Sequence, residues 1–198
     1  MYSPAAFAPT GSEIGWRIVR EHPLGLLFFE DGSIAPLPLV CDEGEQALRG
    51  HLARANPASA MPDGGEVRVV FLGPHAYVSP TWYANPREQV PTWNYVIVQM
   101  TGWISWLGRE ETRQVLDDTC ARFEAPGGFS PDWVDGPLLA EMMDEIVGFR
   151  IDVHEVRPKL KLSQNRSPED WERVRRRFAE APSPGPELAV WMAAAKGA

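Results

Sequence analysis

The sequence contains only two cysteines, Cys41 and Cys120, far apart and outside any C-x-x-C pattern. That excludes a disulfide framework and reads as two buried free thiols in a reducing compartment. No apolar run approaches the ~20 residues needed to cross a bilayer. Met1-Tyr2-Ser3-Pro4 has no cationic start and no apolar core of a secretory leader. A cytoplasmic, membrane-free protein is expected. Histidine is scarce, with four in 198 residues, and no H-x-H or H-x-x-x-H occurs, so no metal site is assigned. The chain has no G-x-G-x-x-G after a strand and no G-x-x-x-x-G-K-[ST], which disfavours Rossmann and P-loop nucleotide binding. It has no internal repeat and no helix-turn-helix signature. No acid–base pair and no nucleophile with its base stands out, so no catalytic residue is named.

What is present is an ordinary globular composition, 44% hydrophobic and 23% charged, long enough to bury a core without cross-links. The net charge is −8 and unevenly spread. Residues 1–149 carry 9 basic against 20 acidic side chains, whereas residues 150–180 carry 9 against 6. An acidic chain is repelled by nucleic-acid backbones, so DNA binding needs a focused patch. Arg173, Arg175, Arg176 and Arg177 form the densest one. It reads as a solvated helix face or as a phosphate-backbone stripe with nothing to read base edges, so direct DNA binding is expected to be weak or indirect.

Along the chain, Thr10-Gly11-Ser12-Glu13 caps a helix that stops near Pro23. Leu24 to Phe29 reads as a buried strand, Asp31-Gly32 as a hairpin turn, and Ser33 to Val40 as the returning strand. Ala47 to Leu52 is a third strand, running into a short helical or turn segment that ends at Asn56-Pro57. Glu66 to Leu72 alternates as a half-buried strand. Gly73-Pro74 is expected to break it before His75 to Ser79 restarts. Val90 to Trp106 is the longest β-rich stretch, with a bulge or bend at Thr101-Gly102. Arg109 to Phe123 and Asp135 to Met143 are helices. Val147 to Leu162 is the last core strand. Ser167-Pro168 starts a helix to about Glu180. About six strands in hairpin-type connections predict an antiparallel, mainly β barrel decorated by helices. Residues 1–180 form that domain, and 181–198 a Pro-rich linker with a short terminal helix.

Three constellations carry the functional signal. Trp82, Tyr83, Trp93 and Tyr95 are singly accounted for by core packing. Beside His75, Ser79, Thr92 and Asn94 they suit a flat heterocycle. Lys161-Leu162-Ser163-Gln164-Asn165-Arg166 supplies cations and amides at a helix start, suited to phosphate and to polar ring edges. Gly50 to Asn56 lies where a strand gives way to a helix, and His51 and Arg54 there add donors for an anion. His51 and His75 read as structural hydrogen-bonding residues, with axial haem ligation the alternative.

These segments together resemble the PaiB-type family of FMN-binding negative transcriptional regulators. The matching residues are Met1-Tyr2 with Pro4 and Phe7, Gly50 to Pro57, Gly73 to Pro80 with Trp82-Tyr83, Val90 to Tyr95, and Lys161 to Arg166. The resemblance covers roughly residues 1–180. It implies an antiparallel split β-barrel of the FMN-binding type, a homodimer with FMN at the subunit interface, and repression of genes. The residues assigned to phosphate are His51, Arg54, Lys161 and Arg166. Those assigned to the ring are Ser79, Trp82, Thr92, Trp93, Asn94 and Gln164. The expected function is that of a flavin-dependent sensor or redox protein labelled a regulator. The alternatives are an NAD(P)H:flavin oxidoreductase and a haem-binding split barrel.

Overall fold

Seven strands join in one antiparallel sheet in the order β2-β1-β5-β6-β7-β4-β3. They are β1 Leu24–Phe28, β2 Ile34–Pro38, β3 Val40–Asp42, β4 Ala47–Ala53, β5 Glu66–Val78, β6 Thr92–Trp106 and β7 Ile146–Lys161. Five helices accompany them: α1 Glu13–Glu21, α2 Arg109–Phe123, α3 Gly136–Asp144, α4 Pro168–Ala179 and α5 Gly185–Lys196. The computed structural model describes residues 1–42 and 44–196. Among them no helix is long and apolar enough to cross a membrane. The expected mainly β, antiparallel architecture is the observed one. Cys41 and Cys120 form no disulfide with each other, and both are half-buried where full burial was expected.

The chain forms two compact units, and β5, β6 and β7 each contribute to both. One unit holds His22–Phe71 and Met100–Val156. Its β1–β2 hairpin pairs Leu24 with Pro38 through Phe28 with Ile34. The turn is closed by the Ser33 amide donating to the Asp31 carboxylate at 2.8 Å. β4 pairs with β7 from Ala47–Asp152 to Ala53–Ile146. Leu27, Leu48, Val67, Val69, Phe71, Ile104, Phe149 and Ile151 form the core. α2 packs on β3 and β4, where Arg49 donates to Asp118 at 2.7 Å.

The other unit holds Met1–Glu21, Leu72–Gln99 and the chain from Arg157 onward. Its core is helical on one side, with Ile18 and Val19 from α1, Val174 and Phe178 from α4, and Leu188, Trp191 and Met192 from α5. Val78, Val96, Val98 and Leu160 come from the strands. The terminal helix, expected beyond a linker, is packed into this unit.

Several expectations change in detail. β1 is not wholly buried: exposed Leu24 and Leu26 alternate with buried Gly25 and Leu27. The returning strand divides into β2 and β3: the Leu39 amide still donates to Pro23 at 2.9 Å in the hairpin's register, and from Val40 the chain pairs with β4 instead. Pro36 and Pro38 fall on β2, an edge strand, where a missing donor is tolerated. Gly73-Pro74 does not break β5. It switches which residues are buried, from Val67, Val69 and Phe71 before it to Pro74 and Val78 after it. The pairing of β5 with β1 ends at Phe71, so Pro74 removes no hydrogen bond from that pair. Gly102 lies within β6, and a Cβ there would sit 2.5 Å from the Asp152 carbonyl. It is a close approach of two strands, where only glycine fits.

Candidate functional site

In the unit containing the end of β7, the first residues of β6 alternate between interior and solvent, as a strand requires. Asn94 points inward and is 1% exposed. Its carbonyl accepts from the Ser163 hydroxyl at 3.1 Å, and its amide reaches the Met192 sulfur at 3.8 Å. Trp93 points outward and is 51% exposed. It stands with His75 and Tyr77 of β5, ring centroids 6.2 and 6.4 Å away. The three rings make an exposed aromatic platform.

Two predicted ring contacts lie in a different local setting. Ser79 caps a short 3₁₀ turn, Pro80–Trp82, accepting from the Thr81 amide at 3.2 Å. Trp82 is half-buried with its ring edge-on to Phe178, 5.3 Å away. It also lines a groove of about 460 Å³ with Thr81, Arg173, Arg176 and Arg177. It therefore belongs to the α4 surface.

The segment from Leu160 to Arg166 is a tight turn built by its own side chains. The Leu162 amide donates to Gln164 Oε1, and Gln164 Nε2 donates to the Leu160 carbonyl, both at 2.6 Å. Gln164 thus extends the hydrogen bonding of β7 past its end, and its amide is engaged by backbone. Ser163 is 4% exposed and has a φ of 64°. That left-handed conformation costs a non-glycine residue roughly 1–2 kcal/mol. The turn presents two cations. Lys161 donates to Thr92 Oγ1 and lies 5.8 Å from the Tyr95 ring. Arg166 donates to Gln89 at 2.6 Å, and its guanidinium lies 4.9 Å over the Tyr83 ring. Lys159 lies 5.4 Å from Tyr95 on the same stretch of β7. Among the described residues none of these three cations has a carboxylate partner.

The basic cluster of α4 is arranged differently. Arg173 pairs with Glu169 at 2.9 Å, and Arg175 and Arg176 pair with Glu172 at 2.7 and 3.3 Å. The Arg175 hydrogen bond, with the charges of Arg175 and Arg176, holds the Glu172 carboxyl down at about 2.

His51 and Arg54 fall in the other unit. His51 lies on β4 opposite Gly148. Burial lowers its pKa, which favours the neutral imidazole. Arg54 donates to the carbonyls of Asp144 and Ile146, at 3.0 and 2.9 Å, where α3 passes into β7. The expected anion-binding amides are already engaged. The Arg54 amide donates to Glu145, that of Asn56 to Ala53, and that of Ala58 to the Asn56 side chain. No α-helix starts there; Pro57–Ala60 is a single 3₁₀ turn.

Of the predicted residues, the structure brings Thr92 together with Lys161, and Asn94 with Ser163 of the Lys161–Arg166 turn. His75 and Tyr77 join Trp93, although the predicted contact set omits them. The shared alternation of His75-Ala76-Tyr77 and Trp93-Asn94-Tyr95 on two strands was the signal that could have found them. The donor set suits a planar phosphorylated group. Exposed flat rings and cations lacking carboxylates are present, and the buried Tyr83 hydroxyl beside Arg166 has no partner among the described residues.

Comparison with known proteins agrees with that chemistry. The family described as "Putative FMN-binding domain" matches residues 1–155. The chain is 36% identical over 182 residues to the protease synthase and sporulation protein PAI 2 of Bacillus subtilis, covering 88% of this chain and 87% of that one. It is 28% identical over 216 residues to the uncharacterized protein AN0679 of Emericella nidulans, covering 83% and 84%. Among solved structures, the flavocytochrome Anf3 of Azotobacter vinelandii matches with a TM-score of 0.60 at 12% identity, over 84% of this chain and 75% of that one. The FAD and heme binding protein of Mycobacterium smegmatis matches with a TM-score of 0.58 at 16% identity, over 77% and 72%. These last two likenesses are of fold alone, and the fold is the antiparallel split β-barrel type. The turn with Lys161 and Arg166 lies beyond the residues the family description matches.

Proposed function

The chain belongs to the PaiB-type FMN-binding family, and from that premise we propose that it is a cytoplasmic flavin-dependent sensor or redox protein, working as a homodimer and contributing to transcriptional regulation without tight DNA contact of its own. Its cofactor is FMN. The observation that carries the site assignment is the Lys161–Arg166 turn, two cations without carboxylate partners among the described residues, in a chain of net charge −8. Lys161 as a point charge and Arg166 as a fork suit the phosphate monoester. Trp93, with His75 and Tyr77, offers the exposed face for the isoalloxazine ring. Asn94 and Gln164 hold the fold around the site and are left out of the contact set. FMN supplies the electron-transfer chemistry when bound, and the chain's residues bind and orient it.

Exposed apolar side chains support the homodimer. In one unit Leu24 and Ile34 are 61% and 54% exposed; in the other Val90 is 70% exposed, near Trp93 in sequence. Such surface fits burial against a second copy.

A flavin titration of the purified chain, read by visible absorbance and by quenching of tryptophan fluorescence, tests the assignment. Saturable binding of FMN, tighter than that of riboflavin, is the expected result. Equal affinity for the two would remove the phosphate contact. Light scattering at micromolar concentration is expected to give a dimer, and a strict monomer would remove the interface. Oxidation of NAD(P)H on addition of FMN would move the protein to the oxidoreductase class.

A further inference from the structure

We infer that Ser163 is a positioning residue for the phosphate-binding cations, acting through the buried side chain of Asn94 without touching the ligand itself. The inference rests on the reading that Lys161 and Arg166 hold the phosphate of FMN.

Glycine is the default residue where φ is positive, because it lacks the Cβ that clashes there. Only two described non-glycine residues adopt such a φ, Gln46 at 51° and Ser163 at 64°. Gln46 is exposed in a turn between strands. Ser163 is buried, and its hydroxyl donates at 3.1 Å to Asn94 Oδ1, itself 1% exposed. Strain held in place by surrounding structure gathers at functional sites. The serine in place of the less strained glycine points to the hydroxyl as the group that matters.

The bond fixes the turn to β6 at its centre. Gln164 closes the N-terminal side through the Leu160 carbonyl and the Leu162 amide. The C-terminal side is closed by the Arg166 amide, which donates to the Ser163 carbonyl at 3.0 Å. Lys161 and Arg166 therefore leave opposite ends of one clamped turn. Asn94 is two residues from Thr92, the hydroxyl that receives the Lys161 ammonium. Thr92 and Asn94 thus anchor the same turn from the same strand. Clamping removes conformational freedom from two long cationic side chains before the ligand arrives, which favours binding without a new contact.

Two variants separate the hydroxyl from the backbone. Ser163→Gly keeps the left-handed conformation without strain and loses the anchor. Ser163→Ala loses the anchor and keeps the strain. Both are to be titrated with FMN and with riboflavin, alongside Lys161→Ala, with thermal unfolding to verify that each is folded. Both Ser163 variants are expected to weaken FMN roughly five- to tenfold, the equivalent of one hydrogen bond, and to leave riboflavin unchanged. A merely structural serine would lower the unfolding temperature without altering the preference for FMN over riboflavin. Equal losses for the two ligands, or an unchanged FMN affinity in Ser163→Gly, overturn the inference. If Lys161→Ala abolishes the preference while both Ser163 variants retain it, the inference alone falls. If Lys161→Ala also retains it, the phosphate reading falls and takes this inference with it.

Discussion

The segments Lys159–Arg166 and Arg173–Arg177 are both basic and follow one another along the chain, yet their charges face different surroundings. On α4 the arginines meet glutamates three or four positions away: Arg173 pairs with Glu169, and Arg175 and Arg176 share Glu172 within the helix itself. In the turn before α4, Lys161 meets a hydroxyl and Arg166 an amide, and both lie near aromatic rings. The denser cluster in sequence is thus the less available one for an external anion. Charge density along a chain counts cations, and binding depends on which of them the fold leaves without a carboxylate.

The largest expected effect tests the unpaired side of this contrast. Lys161→Ala should weaken FMN by about ten- to a hundredfold, the equivalent of ~1.5–3 kcal/mol for a charge-assisted contact. Riboflavin affinity should not change. Arg173→Ala, measured in the same flavin titration, should leave both ligands as they were. A comparable FMN loss from Arg173→Ala would erase the distinction between the two segments.

Next in size is the support beneath the turn. Asn94→Ala leaves the buried Ser163 hydroxyl without its acceptor, at a cost of about 1–3 kcal/mol. Urea unfolding should show a lower midpoint with an unchanged slope. An unchanged midpoint would mean that solvent or a neighbour replaces the acceptor.

His51 provides a smaller, pH-dependent effect. Its folded-state pKa lies below the ordinary 6.5 because burial disfavours the charged ring. The neutral form is therefore favoured by folding, and its contribution is complete above that ordinary value. It is lost as pH falls through the lower folded-state value. Acidification from about pH 7 to 5 should lower the unfolding temperature, and His51→Gln should flatten that dependence. A steeper dependence in the variant would contradict the assignment. A neutral His51 is also a weaker phosphate partner than the sequence pattern suggests.

The smallest expected effect is on DNA. With three of its four arginines paired to two glutamates, α4 should give no tight, sequence-specific complex in a gel shift at about 150 mM salt. A nanomolar specific shift by the protein alone would show that the Glu–Arg pairs open on binding and would move regulation by direct contact to first place.

Much of the fold was legible in sequence because its signals are local. Arg109 to Phe123 reads as a helix and is one, and Ser167-Pro168 starts α4 with the Ser167 hydroxyl accepting from the Asp170 amide. Gly73-Pro74 was legible as a discontinuity, though its form was not. A turn and a change of buried parity within one strand use the same residues. The aromatic and cationic motifs were also visible, and so was their chemistry. Their partners within the fold were not: Asn94 and Gln164 carry the same amide group that a ligand contact would need, and only the tertiary structure shows that it bonds Ser163 in one case and the Leu160–Leu162 backbone in the other.

The sequence by itself determined the helices, strands and turns, the acidic balance and the presence of a flavin-type set of side chains. Caps, periodicity and proline positions act within a turn or two of the chain, so composition in a short window is enough to read them. Tertiary structure decided which of those side chains remain available. Thr92 meets Lys161, and Asn94 meets Ser163, across 69 residues of chain in each case. Trp82 turns to Phe178, while Trp93 turns to His75 and Tyr77. Those partnerships depend on strand register and on what packs behind each strand, and neither is written in any short window of sequence.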